Sequence, residues 1–159
     1  HRPHNTEAPD RLRAILAALD DSPVPVVLPA HPRTETAIEA LGFEPEGSLR
    51  LAEPQGYLDF LALLDGASVV VTDSGGVQEE ASVLETPCLT VRPNTERPET
   101  VEAGVNELIE PSALGARLDA LATDADARAA MTGNPDLYGD GRAGERIVDA
   151  LTEQLEVDG

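Results

Sequence analysis

The sequence predicts an α/β protein: one parallel, doubly wound sheet with helices on both faces. Three observations predict it. Short, continuous apolar runs alternate with longer stretches whose apolar residues recur at helical spacing. None of the five strand-like runs alternates apolar and polar residues, as expected when a strand is covered on both faces. Each run is also separated from the next by a helical stretch, which favours parallel pairing through right-handed crossovers. The 159 residues suffice for one domain with its own core, so residues 1–159 are read as a single unit.

The elements follow in order. Residues 9–19 (PDRLRAILAAL) read as a helix, apolar at Leu12, Ile15, Leu16 and Leu19. Residues 24–28 form the first strand. Residues 34–41 read as a helix closed by Gly42. Residues 49–52 are a brief strand, and 57–64 a helix that Asp65-Gly66 stops. Residues 69–72 form a strand that runs into Asp73-Ser74-Gly75-Gly76, after which 77–84 is helical, with Val77, Ala81 and Leu84 expected to face the sheet. Residues 87–91 are the fourth strand. Residues 98–103 are a short helix with Pro98 at its first position and Gly104 after its end. Residues 107–109 complete the strands, and three helices close the chain at 112–122, 125–131 and 144–155. The loop PDLYGDGR at 135–142 breaks the alternation, so the last helix is expected to pack elsewhere.

Composition narrows the partners. There are 30 acidic residues against 11 basic ones, a net charge of −19, and every basic residue is arginine. The acids are spread along the chain among periodic apolar segments, so this is a folded domain with a carboxylate-covered surface rather than a disordered acidic tail. Such a surface repels itself at low salt and is screened at high salt, where the Debye length falls to ~3 Å at 1 M. It points to a salt-rich cytoplasm of haloarchaeal type and argues against nucleic acid or an anionic membrane as partner. Cys88 is the lone cysteine. It supports neither a disulfide framework nor a cysteine zinc site, and in PCLTV it reads as a small buried hydrophobe. No run is apolar enough to span a bilayer and no signal-type segment opens the sequence, so cytoplasmic location is the expectation.

In an open α/β sheet, ligands bind beyond the carboxyl ends of the strands. Thr72-Asp73-Ser74-Gly75-Gly76 lies there. Free N–H groups at the start of the following helix, two glycines and the Ser74 hydroxyl make an anion site; a tight turn capped by Asp73 or Ser74 explains the same residues. Ser74 lacks the GxSxG surroundings of a hydrolase nucleophile. Glu80 lies one helical turn from Gly76 on the same side and could reach a ligand hydroxyl, or serve as an early acid in the helix, worth ~0.3–1 kcal/mol. Glu79 is expected on the solvated face. Arg97, just before Pro98, stands where a cation opposes the helix dipole, which a bound anion would explain; a salt bridge to a nearby carboxylate is the other reading. His1-Arg2-Pro3-His4 has metal-like spacing but no third ligand near it in sequence, and no metal is expected. His31 either lines the cleft or caps a loop.

The stretch DSGGVQEEASVLETPCLTVRPNTERPETVEAG resembles the signature of the non-hydrolysing UDP-N-acetylglucosamine 2-epimerases. The likeness extends to PQGYLDF, to His-Pro after the second predicted element, to NP…YGDG near the end and to HR…N at the start, and so covers essentially all the chain. It implies a GT-B-like architecture of two Rossmann-like domains with a nucleotide-sugar between them, of which this chain is the carboxyl-terminal, nucleotide-binding one. By the resemblance, Ser74, Gly75 and Gly76 hold the diphosphate of UDP, Glu80 the ribose, and Arg97 a phosphate. Gln55 and Phe60 lie by the uracil, and His1 contacts the substrate at the catalytic centre. The implied reaction inverts C2 of the sugar: a base removes the C2 proton, UDP leaves in an anti elimination to a 2-acetamidoglucal, and UDP re-adds after protonation on the other face.

The implied partners are the UDP-sugar, an amino-terminal domain or companion chain that supplies the acid–base carboxylates, and a second copy in a homo-oligomer. No metal or redox cofactor is implied. The helix at 142–155 is expected to pack toward the amino-terminal domain. Two departures stand out. The family's opening pattern HR-x-E-N is HRPHN here, so its Glu is missing. The final loop, NPDLYGDG, is two residues longer than NPYGDG. The alternatives are a nucleotide-sugar-binding module without catalysis and the donor half of a split GT-B glycosyltransferase.

Overall fold

The computed structural model describes residues 2–131, 133 and 136–157. Within them, the order is α1 (Pro3–Thr6), α2 (Pro9–Asp20), β1 (Val26–Pro29), α3 (Pro32–Leu41), β2 (Leu49–Ala52), α4 (Tyr57–Asp65), β3 (Val70–Thr72), α5 (Gly75–Val83), β4 (Cys88–Thr90), α6 (Pro98–Glu102), β5 (Asn106–Leu108), α7 (Pro111–Thr123), α8 (Ala125–Ala129) and α9 (Ala143–Val157). The five strands lie where the alternation places them, and every pair is parallel. Prolines set several helix starts: α2, α3, α6 and α7 each open on one, where a missing N–H costs nothing. Gly42 closes α3 in the left-handed conformation, at φ 58°, as expected for a helix C-cap. The four-residue α1 was not anticipated.

β4 is the central strand of its sheet, and all three of its residues are buried. Its two faces differ in chemistry. Leu89 and the following Val91 enter an apolar core with Leu12, Leu16 and Leu19 of α2 and Leu114, Leu118 and Leu121 of α7. Cys88 and Thr90 point the other way, toward α5 and α6, where the buried residues include Gln78, Ala81, Ser82 and Thr100. The buried stripe of α5 is therefore 78, 81 and 82, one position round from the expected 77, 81 and 84. Val77 and Leu84 are only half-buried.

The ladder divides. β1 pairs with β2, and β3, β4 and β5 pair in that order, with a crevice of about 670 Å³ where β1 and β3 approach. The cause lies in the sequence VPVVLP. Val26 N–H donates to Ser48 and Ala30 N–H to Ala52, so the even-numbered donors of β1 face β2. The opposite edge has positions 25, 27 and 29, and Pro25 and Pro29 carry no N–H. Only Val27 can donate there, and a strand edge short of donors remains an edge.

Candidate functional site

The turn after β3 is fixed through its backbone. Ser74 N–H donates to Thr72 Oγ1 at 3.0 Å, and Ser74 C=O accepts from Gln78 Nε2 at 3.1 Å. Ser74 is the N-cap of α5, yet its side chain makes no capping bond, so its hydroxyl is not committed to closing the turn. Asp73 does not cap the helix either. Its Oδ2 accepts from Arg2 N–H at 3.0 Å and from Asn5 Nδ2 at 3.0 Å, which ties the opening Arg2–Asn5 segment to the turn. Asn5 also donates to Val91 C=O and accepts from Arg11 Nε. Burial works to raise the Asp73 carboxyl, but the hydrogen bond from Arg2 and then Asn5 leaves it below the usual carboxylate range.

Gly75 and Gly76 are the first two helical residues of α5. Neither has a positive φ, and a Cβ on either would meet nothing within 4 Å. Neither conformation nor packing requires glycine there, and each costs roughly 0.5–1 kcal/mol of helix stability relative to alanine. What two glycines supply is unobstructed access to the free N–H groups of the helix start.

Arg97 is the cap residue of α6, as expected. Its guanidinium pairs with Glu79 through Nε and reaches Glu96 C=O through Nη1 at 3.0 Å. The salt-bridge reading of Arg97 is thus realised, and Glu79, expected in solvent, is its partner. Next to it, Arg92 forks onto Glu96 at 2.6 and 2.7 Å, and that bond holds the Glu96 carboxyl down to about 2. Glu80 behaves oppositely. Partial burial lifts its carboxyl above the usual range and the neighbouring Glu79 charge adds to this, against a hydrogen bond with Tyr57. Tyr57 opens α4, the helix of the PQGYLDF segment, which lies against α5.

Of the remaining predicted residues, Phe60 is half-buried and lines the crevice beside Ser74 and Val77. Gln55 is exposed and folds onto its own loop, with Nε2 donating to Glu53 C=O at 2.7 Å. His1, Asn134 and Pro135 lie outside the described residues. His31 takes the capping role: its Nδ1 accepts from Arg33 N–H at 3.2 Å at the start of α3, and the residue also lines the crevice between β1 and β3. Sequence reasoning missed a polar group behind the site, formed by the buried Gln78, Thr90, Thr100 and Asn106 and the half-buried Thr95. The available signal was Gln78, a polar residue one turn from Ser74 on a helix buried at 81 and 82.

Fold and site define a doubly wound α/β domain with an accessible helix start and a cationic side chain at one end of its strands, the arrangement of a phosphate-type anion site. Residues 1–152 match the sequence profile of UDP-N-acetylglucosamine 2-epimerase. The chain belongs to that family. It is 41% identical over 158 residues to the UDP-2,3-diacetamido-2,3-dideoxy-D-glucuronate 2-epimerase of Pseudomonas aeruginosa, covering 96% of this chain and 43% of the relative. It is 36% identical over 161 residues to the UDP-N-acetylglucosamine 2-epimerase of Methanocaldococcus jannaschii, again covering 96% and 43%. A crystal structure of the M. jannaschii enzyme in complex with UDP-GlcNAc and UDP superposes with a TM-score of 0.77 at 36% identity, over 96% of this chain and 43% of that one. The Neisseria meningitidis enzyme bound to UDP-GlcNAc does so with a TM-score of 0.80 at 31% identity, over the same shares. The chain spans less than half the length of these relatives.

Proposed function

We propose that this chain is the carboxyl-terminal, UDP-binding half of a UDP-N-acetylglucosamine 2-epimerase, which interconverts UDP-GlcNAc and UDP-ManNAc by eliminating and re-adding UDP. One observation carries the reading: two glycines that neither conformation nor packing requires, at an open helix start near Arg97. Ser74, Gly75 and Gly76 receive the diphosphate, and Arg97 exchanges Glu79 for a phosphate oxygen. Expulsion of UDP places charge on those oxygens, and the helix start with Arg97 stabilises it. Glu80 takes the ribose hydroxyls, Phe60 and Gln55 flank the uracil, and His1 contacts the sugar. Proton transfer at C2 is assigned to carboxylates of the other half.

The same reading gives α9 its role. Ile147, Val148, Leu151 and Leu155 are all exposed and form one apolar stripe at helical spacing. It packs on the amino-terminal half, in a dimeric enzyme. The net charge of −19 supports a salt-rich cytoplasm, and the product is a sugar donor for polysaccharide synthesis. The P. aeruginosa relative carries a different sugar name, so the substrate class is a UDP-linked 2-acetamido sugar. A second reading, a binding module without catalysis, is favoured by His4 standing where the family pattern has Glu.

Proton NMR of UDP-GlcNAc with the chain, in D₂O and molar KCl, tests the proposal. Saturation transfer to the uridine protons with an intact C2 proton is expected. Loss of the C2 signal would mean the chain carries its own base, and absence of transfer would remove the UDP site.

A further inference from the structure

Behind the candidate site runs a chain of hydrogen bonds that ends on the backbone of two residues. Gln78 is fully buried. Its Nε2 donates to Ser74 C=O at 3.1 Å, and its Oε1 accepts from Thr95 Oγ1 at 2.6 Å and from Asn106 Nδ2 at 2.9 Å. Asn106 donates also to Thr100 Oγ1 at 3.0 Å and accepts from Thr90 Oγ1 at 2.7 Å. The two outer threonines then hold Arg97. Thr95 Oγ1 accepts from Arg97 N–H at 3.0 Å, and Thr100 Oγ1 donates to Arg97 C=O at 2.7 Å.

Packing alone does not account for this. The other face of β4 is filled with leucines, and apolar side chains could fill this one without the desolvation of two amides and their hydroxyls. A satisfied buried network selects one geometry instead. Each amide has its donor and acceptor ends fixed by its partners, so neither can turn over without breaking bonds. Arg97 needs such a hold, because its backbone (φ −125°, ψ 56°) is not helical and its side chain makes no cap. Ser74 is held likewise, by Thr72 at its N–H and Gln78 at its C=O.

We infer that Gln78 is a positioning residue: through Thr95, and through Asn106 and Thr100, it sets the spacing between the Ser74 turn and Arg97, so that both meet one diphosphate. This rests on the UDP reading above and adds a residue to it that touches no ligand. A positioning role predicts a loss confined to the phosphate end of the ligand, which a merely structural role does not.

The test compares UDP with uridine, which lacks the diphosphate, against the unmodified chain, Gln78→Leu, Thr95→Val and Thr95→Ser, in molar KCl by NMR titration, with Tm recorded for each. Thr95→Val removes only the hydroxyl between Gln78 and Arg97 N–H in a half-buried loop, so it decides the matter if Gln78→Leu does not fold. Expected is roughly tenfold weaker UDP binding for Gln78→Leu and Thr95→Val, uridine binding within about twofold, and restoration by Thr95→Ser. In the unliganded chain, the Arg97 Nε–H resonance should move toward its free value in Thr95→Val and return in Thr95→Ser. UDP binding unchanged in Thr95→Val would overturn the inference. So would equal weakening of UDP and uridine in step with Tm. An unmodified chain that binds neither ligand would instead remove the UDP reading itself, and this inference with it.

Discussion

Gly76→Ala should make the protein more stable and a poorer ligand binder at once. Gly76 is the second residue of α5, its φ is not positive, and a Cβ built on it meets nothing within 4 Å. Alanine therefore brings no clash and no backbone strain, and it lowers the entropy of the unfolded chain. The gain is about 0.5–1 kcal/mol. For a domain of this size it raises Tm by roughly 1–4 °C. The ligand feels the opposite. A methyl group over the free N–H groups holds a phosphate oxygen off at least one of them, and a hydrogen bond to a charged group is worth about 1.5–3 kcal/mol. UDP affinity should fall at least about tenfold. Thermal unfolding in molar KCl, with and without UDP, reads both effects in one experiment. A variant that binds UDP as tightly as the parent would show that Gly76 is not there for access. A lower Tm without ligand would show that the position has a packing demand the open space conceals.

Three further outcomes follow from the site. Glu79→Gln frees Arg97 from its internal partner, so UDP binding should tighten, by roughly twofold, since both groups are partly exposed and screened; weaker binding would mean that Glu79 holds Arg97 in place. Asp73→Asn should lower Tm at neutral pH by disrupting the tether to Arg2 and Asn5. Because the folded carboxyl of Asp73 lies below its ordinary value, its stabilisation is present above that ordinary value and is lost as pH falls through the folded one. The Tm gap between parent and variant should therefore close in acid, and a gap independent of pH would assign the effect to shape rather than charge. Leu151→Glu, on the exposed stripe of α9, should leave the Tm of this chain within about 1 °C, as surface changes do, while preventing recovery of epimerase activity when the amino-terminal half is added; a fall of several degrees would show that α9 packs on this domain.

The parts of the fold readable from sequence were those set by one local rule. Pro98 marked a helix start, Gly42 marked a stop, and the unalternating strands marked a parallel sheet. The helices read from 34 and 112 begin two and one residues earlier, at Pro32 and Pro111. Only β4 is covered on both faces, since Val27 of β1 and Leu51 of β2 are exposed. What escaped depended on partners distant in the chain. The break between β1 and β3 needed the knowledge that odd-numbered donors of β1 face away from β2, and only the observed register supplies it. The prolines were visible; the edge they face was not. Likewise, Glu79 read as solvated because helical spacing turns it away from Gly76, and nothing local indicates that α6 brings Arg97 to that flank. Gln78 was hidden by a stripe drawn one position off. A glutamine on a buried face looks like an error until Thr95 and Asn106, 17 and 28 residues on, are seen to satisfy it.

The electrostatics of the site follow from the same arrangement. A chain of net charge −19 is a poor host for a diphosphate unless cations gather locally: Arg92 is close enough to Asp73 to feel its charge, and Arg97 reaches Glu79 on the helix that follows the turn. Yet each is already answered, Arg97 by Glu79 and Arg92 by Glu96. The site is therefore not a bare positive patch. On the proposed reading, long-range attraction contributes little to capture of UDP, least of all in molar salt, where the Debye length is ~3 Å. Affinity must come from contacts within that distance. The two features that do not depend on net charge are the oriented N–H groups of α5 and an exchange of one carboxylate for another anion at Arg97. Both demand fixed geometry, and the backbone of Ser74 and Arg97 is held by hydrogen bonds to the buried Gln78 and Thr100 and the half-buried Thr72 and Thr95. For such a site, salt should alter the stability of the domain more than its affinity for UDP. A steep fall of affinity between 1 and 3 M KCl at constant Tm would place the binding energy back in long-range charge.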